Sequence, residues 1–310
     1  MSSGLKIFKS QKGTVAVLMA IAMVFLAGFT ALVTDAGLIF MNQGRLENSL
    51  DSAVLAGAQE LPADPQRALD TARQYAELNG MQEGEADFAV SSDYRSISGN
   101  AERRVGMLFA RVLGVDRANV RAAARAHVSP IASVNGVAPF GVLDYDYNFG
   151  DVVVLKEGAG ENFYAGWFGA LSLGGTGASV YLDNVRHGYG GQVKIGDVIQ
   201  IEAGNMSGPT KQGIEDRISQ CHHTPYCSIF NYEDGCPRIL IIPIIDIEEI
   251  DYGGHVFSVR VVGFGAFLVD QYVGNGNENE IQGSFISYVI PGSGNDSAED
   301  FGLYEAKLSE

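Results

Sequence analysis

The chain has 310 residues and a net charge of −16 at pH 7, because 37 aspartates and glutamates outnumber 21 lysines and arginines. A surface that binds nucleic acid needs clustered Lys and Arg, so no nucleic-acid partner is expected. The acidic residues are spread along the chain, which is typical of a solvated, mutually repulsive surface. The chain is long enough for one or two domains with apolar cores.

An uncharged run of 22 residues, Gly13–Thr34, is the most informative feature of the sequence. A helix of this length, at about 1.5 Å per residue, spans the roughly 30 Å hydrocarbon core of a bilayer. Asp35 ends the run, and three lysines precede it: Lys6, Lys9 and Lys12. This charge asymmetry predicts a transmembrane helix at 13–34, with residues 1–12 as a short cytoplasmic tail.

A cleaved signal peptide and the core helix of a soluble protein are the alternatives to a retained anchor. The basic start and the small pair Ala27-Gly28 fit a signal peptide. The apolar run is longer than the 7–15 residues that such a signal needs, and no Ala-x-Ala break follows it. We therefore expect a single-pass protein of the cell membrane, with its N-terminus cytoplasmic and its C-terminal bulk extracellular or periplasmic.

Beyond the span, residues 35–130 are predicted to form a helix extension and a small α+β module. Apolar residues continue at helical spacing through 42–59, and small side chains there would allow close approach of a partner or of the chain's own module. These helix-packing candidates are Ala53, Ala56, Gly57 and Ala58. Asp64 as N-cap and Pro65 at the first helical position predict a second helix that ends near Asn79-Gly80.

The rest of this module is predicted to contain strands and one more helix. Short strand-like runs occur at 86–91 and 93–98. The segment 104–113 has Val105, Leu108, Phe109 and Val112 on one helical face and is predicted as an amphipathic helix. Alternating small apolar and Arg residues at 119–129 predict a half-buried strand.

Residues 137–305 are predicted to form a β-rich domain, sandwich-like or barrel-like, after a linker at 130–136. Glycine clusters separate apolar alternating runs there, which is typical of many turns. The strand candidates are 151–156, 180–182, 192–195, 197–202, 238–247, 255–269 and 281–289, and the best helix candidate is 210–220. The run Ile239–Ile245 is apolar on both faces and predicts a central strand, whereas its Pro243 favours an edge or a bulge.

A pattern of small and polar residues accompanies the apolar run. It opens with Gly-x-x-Ala-Val at 13–17 and continues with Asp35-Ala36-Gly37, Arg45-Leu46, Asn48, Asp51-Ser52-Ala53 and Leu55-Ala56-Gly57-Ala58. Over about 46 residues, this combination resembles the TadE/TadG-like family of Flp pilus-assembly proteins. The departures from the family pattern are Glu47 in place of Gln, and Ser49, Ser52 and Val54 in place of Ala.

The resemblance implies a membrane-anchored, non-enzymatic, TadG-like component of a Tad-type pilus assembly or secretion system at the cell surface. Its implied partners are the membrane, other pilus-assembly proteins and copies of itself. A filament-forming, pilin-like subunit is an alternative. Processed pilins carry Glu at the fifth position after a Gly, and here Leu18 follows Gly13 at that position while Lys9 follows Gly4. The major-pilin role is therefore not favoured.

Three cysteines lie within 16 residues, Cys221, Cys227 and Cys236, and His222 and His223 follow the first. Outside the cytoplasm a disulfide is the default. The pairs Cys221–Cys227 and Cys227–Cys236 are both favoured, and either leaves one thiol over. A Cys₃His zinc site is the alternative, although the spacing matches no C-x₂₋₄-C knuckle. A membrane-tethered extracellular enzyme or metal-dependent binding protein built on this segment is the corresponding alternative function.

Other motifs do not favour catalysis or a cofactor. Oxygen-bearing residues in Asp144–Asp151 suggest a calcium loop, but an EF-hand needs Gly at its sixth position and Glu at its twelfth. Phe149 and Leu155 stand there, so a surface turn before a strand is preferred. No P-loop, G-x-S-x-G or H-E-x-x-H motif occurs. We therefore predict no catalytic residue, no cofactor and no metal.

Overall fold

The computed structural model describes residues 12–144, 149–156, 169–202, 204–250, 255–275 and 278–309. The helices in these ranges are α1 Lys12–Ala58, α2 Pro65–Leu78, α3 Ala178–His187 and α4 Ser207–Ser219. The strands are β1 Ala86–Val90, β2 Ser96–Gly106, β3 Arg117–Val134, β4 Val142–Leu143, β5 Val152–Lys156, β6 Val193–Lys194, β7 Val198–Gln200, β8 Ile239–Ile250, β9 Val256–Asn275, β10 Glu278–Ile286, β11 Tyr288–Val289, β12 Ser293–Gly294 and β13 Leu303–Ser309. The predicted α+β fold, a long apolar helix followed by a β-rich remainder, is confirmed.

Helix α1 has 47 residues and changes character along its length. The side chains of Val15–Thr30 are exposed, whereas Leu46, Leu50 and Val54 are fully buried. The buried residues recur every four positions, so they form one stripe along the helix. The N-terminal half of the helix, which includes Val15–Thr30, is therefore apolar and exposed, and we call it the bare half. The C-terminal half is packed against the rest of the chain. The predicted tail falls almost entirely on residues 1–11, outside the described ranges.

Helix α2 follows from local signals that the sequence predicts correctly. Asp64 is the N-cap, and its carboxylate accepts the backbone N–H of Arg67 at 2.9 Å. Pro65 occupies the first helical position, where its missing N–H is not needed. The buried face of α2 consists of Ala68, Ala72 and Ala76, whose small side chains let α2 lie close to α1.

The first sheet has the order β1-β2-β3-β13-β11, with β6 and β12 also paired to β3. Helices α1 and α2 cover one face of it, where Leu50 and Val54 pack with residues of β2 and β3. The final strand, β13, pairs with β3 from Tyr304 opposite Pro130 to Ser309 opposite Arg125. The first sheet thus joins strands from residues 86–134 to the last described strand.

The second sheet has the order β4-β8-β9-β10-β5, with β7 paired to β9. Strand β8 is central, and its two faces enter different cores: Ile239 and Ile245 in one, Ile242 and Ile244 in the other. Pro243 lies next to a register shift between Ile244 and Ile245. A bulge tolerates the missing N–H of proline, so a central strand and its proline are compatible.

Three expectations for local structure are wrong. The predicted linker is strand through Val134, because β3 runs continuously from the first sheet to a core shared with the second, where Ile131 and Val134 are buried. The predicted strand 180–182 lies inside α3, since a short apolar run does not distinguish strand from helix. The predicted helix 104–113 is the end of β2 and a 3₁₀ turn at Ala110–Leu113, because pairing with β3 prevails over helical periodicity. The predicted calcium-type loop includes residues 145–148, outside the described ranges.

Candidate functional site

The bare half of α1 is the first candidate site. Its side chains are apolar on all sides, and Val24, Phe25 and Phe29 are each about two-thirds exposed or more. The hydroxyls of Thr30 and Thr34 donate to the carbonyls of Leu26 and Thr30, which satisfies them within the helix. By length and composition this helix can cross a membrane once. A helix is suited to lipid because its backbone groups are bonded internally.

Asp35 stands where the bare half of α1 meets the packed half. Its carboxylate is buried and accepts the backbone N–H groups of Leu108, Phe109 and Ala110 at distances of 2.6 to 3.3 Å. These groups open the 3₁₀ turn between β2 and β3. Burial acts to raise the pKa of the Asp35 carboxyl, but the three backbone hydrogen bonds outweigh it and leave that pKa below its usual value. The sequence identified Asp35 as part of a motif, and the structure adds its partner.

The turn that Asp35 holds carries exposed apolar side chains. Val112 and Leu113 are 88% and 85% exposed, and Leu108, Phe109 and Val115 are about half exposed or more. Sequence analysis placed three of these residues on one helical face; the structure places them on the outside of a hairpin tip. We call residues 107–116 the hairpin tip. It lies at the level of the helix where the apolar run ends.

The helix-packing candidates mostly pack within this chain. Ala53, Gly57 and Ala58 are buried, and Ala56 is half-buried. A Cβ at Gly57 would lie 2.7 Å from the carbonyl oxygen of Ala68 and 2.9 Å from Ile97 Cδ1. These positions are small because α2 and the first sheet approach them closely, so the buried ones are not available to a partner.

The three cysteines and one histidine converge within the segment between α4 and β8, which contains turns and one isolated bridge between Ser228 and Asn231. Cys221 follows α4, and Cys236 lies just before β8. The three Sγ atoms and Nδ1 of His223 lie within 4.8 Å of one another. His223 Nδ1 is 3.1 Å from Cys227 Sγ and 3.7 Å from Cys221 Sγ, and Cys221 Sγ is 3.6 Å from Cys236 Sγ. His222 is exposed and outside the cluster.

The surroundings of the cluster favour thiolate at Cys221. Burial acts to raise the pKa of its thiol, but hydrogen bonds from the backbone N–H groups of His223 and Cys227 and from the Cys236 side chain lower it to about 6. At Cys236 burial prevails and raises the pKa to about 12.

Comparison with known proteins finds a family match for the N-terminal segment. The family model described as "Putative Flp pilus-assembly TadE/G-like" matches residues 13–60. No curated protein matches the chain. No solved structure matches it. The match covers the bare half of α1, the Asp35 junction and the packed half. Residues 13–60 are therefore similar to the TadE/G-like segment of Flp pilus-assembly proteins, and the resemblance predicted from the sequence motif is confirmed over this segment.

Proposed function

We propose that this protein is a membrane-anchored, non-enzymatic component of a Tad-type pilus assembly or secretion system. The observation that carries the proposal is the bare apolar half of α1, which lies inside the segment that matches the family. In this arrangement residues 13–34 lie in the membrane, and the two sheets stand outside the cytoplasm. The exposed surface of the sheets is then what other assembly proteins or further copies of the chain contact.

Membrane extraction tests the anchor. We expect the full-length chain to stay in the membrane pellet during alkaline carbonate washing. Leu18→Arg combined with Phe25→Arg should release it, because each central charge costs about 2.5–3.5 kcal/mol on insertion scales. The matched control places arginine at Leu78 and Leu308, two exposed residues outside the span. Complete release of the unchanged protein by carbonate would refute the anchor.

Protease digestion of intact spheroplasts tests the orientation. A C-terminal tag should be cut without permeabilisation, since Lys6, Lys9 and Lys12 are expected to stay in the cytoplasm. Protection of the tag in a chain that resists carbonate would keep the anchor and reverse the proposed orientation.

A filament-forming subunit is the alternative. It is favoured by the same helix, which exposes apolar side chains on all sides and would be buried among neighbouring helices in a filament. Sequencing the N-terminus of the mature protein separates the two functions. An intact start supports a standing anchor, whereas a start near Thr14 would indicate processing and support the filament.

A further inference from the structure

The convergence of three thiols and one imidazole has a specific chemical meaning. In a tetrahedral zinc site, with Zn–S of about 2.3 Å and Zn–N of about 2.0–2.1 Å, neighbouring ligand atoms lie about 3.5–3.8 Å apart. The contacts of Cys221 Sγ with Cys236 Sγ, at 3.6 Å, and with His223 Nδ1, at 3.7 Å, have this spacing. Cys227 Sγ lies closer to His223 Nδ1, at 3.1 Å, and all four atoms lie within 4.8 Å of one another. We propose that Cys221, His223, Cys227 and Cys236 form a structural Zn²⁺ site of the Cys₃His type.

A disulfide explains less of this arrangement than a metal ion does. A disulfide joins two sulfurs. It leaves the third thiol, and the His223 ring that contacts the sulfurs, without a function. A zinc ion uses all four ligand atoms at once. Each ligand would bind without its proton, so zinc binding releases the protons of the thiols. Four protein ligands close the coordination sphere, which is typical of structural rather than catalytic zinc.

Groups around the cluster support bound thiolates. The backbone N–H of His223 donates to Cys221 Sγ, and that of Arg238 donates to Cys236 Sγ. In both cases the donor comes two residues after the cysteine. Hydrogen bonds of this kind orient metal ligands and tune their basicity.

Arg238 holds the backbone of the cysteine-containing segment in place through hydrogen bonds. Its side chain is 1% exposed, and it donates from Nη1 to the carbonyl of Cys227 at 2.7 Å and from Nε to the carbonyl of Val269 at 2.8 Å. Zinc with three thiolates carries one net negative charge, and the buried guanidinium, which lies 3.5 Å from the Asp270 carboxylate, bonds the backbone of one proposed ligand, Cys227. The site would therefore tie the segment between α4 and β8 to strand β9.

Metal analysis of the full-length protein, purified in detergent from membranes without chelator, tests this inference. We expect about one zinc per chain and three thiols that react only after denaturation. His223→Ala and Cys227→Ser should each reduce the zinc content to about one tenth or less. His222→Ala is the matched control and should keep it, because His222 is exposed and outside the cluster.

Cobalt substitution keeps the test decisive if these variants fail to fold. The unchanged protein loaded with Co²⁺ should show thiolate-to-cobalt charge transfer and the intense visible bands of a tetrahedral site. A disulfide in the protein isolated from membranes, or the absence of zinc and of a tetrahedral cobalt spectrum after metal loading, would overturn the proposal. The anchor would be unaffected by that result.

The hairpin tip carries a second, independent inference. Its apolar side chains are exposed, and Asp35 holds it at the residue that follows the apolar run. Arg104, Arg111 and Arg117 are exposed on the same hairpin, with Asp116 3.8 Å from Arg111, and their long side chains can reach the polar headgroup layer. We infer that Val112 and Leu113 enter the lipid interface beside the span. This inference rests on the proposed anchor, because it takes its depth from residues 13–34.

Quenching of tryptophan by brominated lipid tests the depth of the hairpin tip. The chain has one tryptophan, so Leu113→Trp is made with Trp167→Phe in reconstituted full-length protein. The matched control is Phe230→Trp. Phe230 is exposed and lies near Glu60, and Glu60 is about 35 Å from Asp35 along the axis of α1. We expect strong quenching of the first and little of the second.

The outcomes separate this inference from the anchor. Equal, weak quenching in protein that resists carbonate would overturn lipid contact while leaving the anchor intact, and the hairpin tip would then face a protein partner. Release of the protein by carbonate would refute both.

Discussion

The carboxylate of Asp35 accepts the backbone N–H of Ala110 at 2.6 Å and so joins the long helix to a turn 75 residues away in sequence. The interaction is a helix-cap contact made across the fold: an acceptor on one element satisfies the free N–H groups that open another. It fixes the hairpin tip beside the end of the apolar run. It also gives a structural reason for an aspartate at this position of the family-like motif.

Asp35→Asn should loosen the hairpin tip without unfolding the sheets. The amide oxygen can accept fewer and weaker hydrogen bonds than a carboxylate, so the amides of Leu108, Phe109 and Ala110 should exchange hydrogen several-fold faster. Hydrogen exchange read by mass spectrometry measures this. Asp116→Asn, exposed in the same turn, is the control. Unchanged exchange at these amides in Asp35→Asn would contradict the assigned role.

The pair Glu85–Arg103 should make stability depend on acid. The hydrogen bond from Arg103, at 2.7 Å, holds the pKa of the half-buried Glu85 below its ordinary value of 4.5. A lowered folded-state pKa contributes stability that is fully present above about 4.5 and is lost as the pH falls towards the folded value. Urea denaturation at a series of pH values from about 6 down to about 3 should show this loss of stability. Glu85→Gln should be less stable than the unchanged protein at about pH 6, and its stability should fall less as the pH is lowered.

Gly57→Ala should destabilise the protein by about 1–3 kcal/mol, because the added methyl meets the Ala68 carbonyl and Ile97. Gly44→Ala is the matched control in the same helix. Nothing lies within 4 Å of a Cβ there, so the substitution should stabilise by up to about 1 kcal/mol. Denaturant titration of both variants measures the difference. Two equal effects would contradict the close packing of α1 on α2.

Tyr304→Ala should cost about 3–5 kcal/mol, the range for truncating a large buried ring. Tyr304 is 2% exposed and packs with Leu61, Ile97 and Val128 although it comes from the last strand. Leu308→Ala in the same strand is the control and should cost less than about 1 kcal/mol, since Leu308 is 45% exposed. If both variants lose equal stability, β13 does not complete the core of the first sheet.

Local signals were enough for several elements. The cap at Asp64 and the proline at 65 predicted α2, and alternation predicted much of β3. The two-sided apolar run at 239–245 predicted the central strand β8. These features depend on neighbours a few residues apart, so a single sequence contains the information.

The sequence did not predict that the three cysteines and His223 come together. The spacing of Cys221, Cys227 and Cys236 matched no familiar knuckle, and the choice between two disulfide pairs and a metal stayed open. The structure brings α4 and β8 together, and with them the sulfurs of Cys221 and Cys236. His223 joins them only because its ring turns towards Cys227.

The sequence by itself determined that the chain has an apolar helix of membrane-spanning length, a TadE/G-like motif and a β-rich remainder, since periodicity and composition express all three. Only the tertiary structure decided that β13 returns to β3, that Asp35 caps a distant turn and that three sulfur atoms and one imidazole nitrogen come within 4.8 Å of one another. The first two join residues at least 75 positions apart in sequence, and the third folds a 16-residue segment back on itself. Such contacts depend on the packing of whole elements, and no local pattern records that packing.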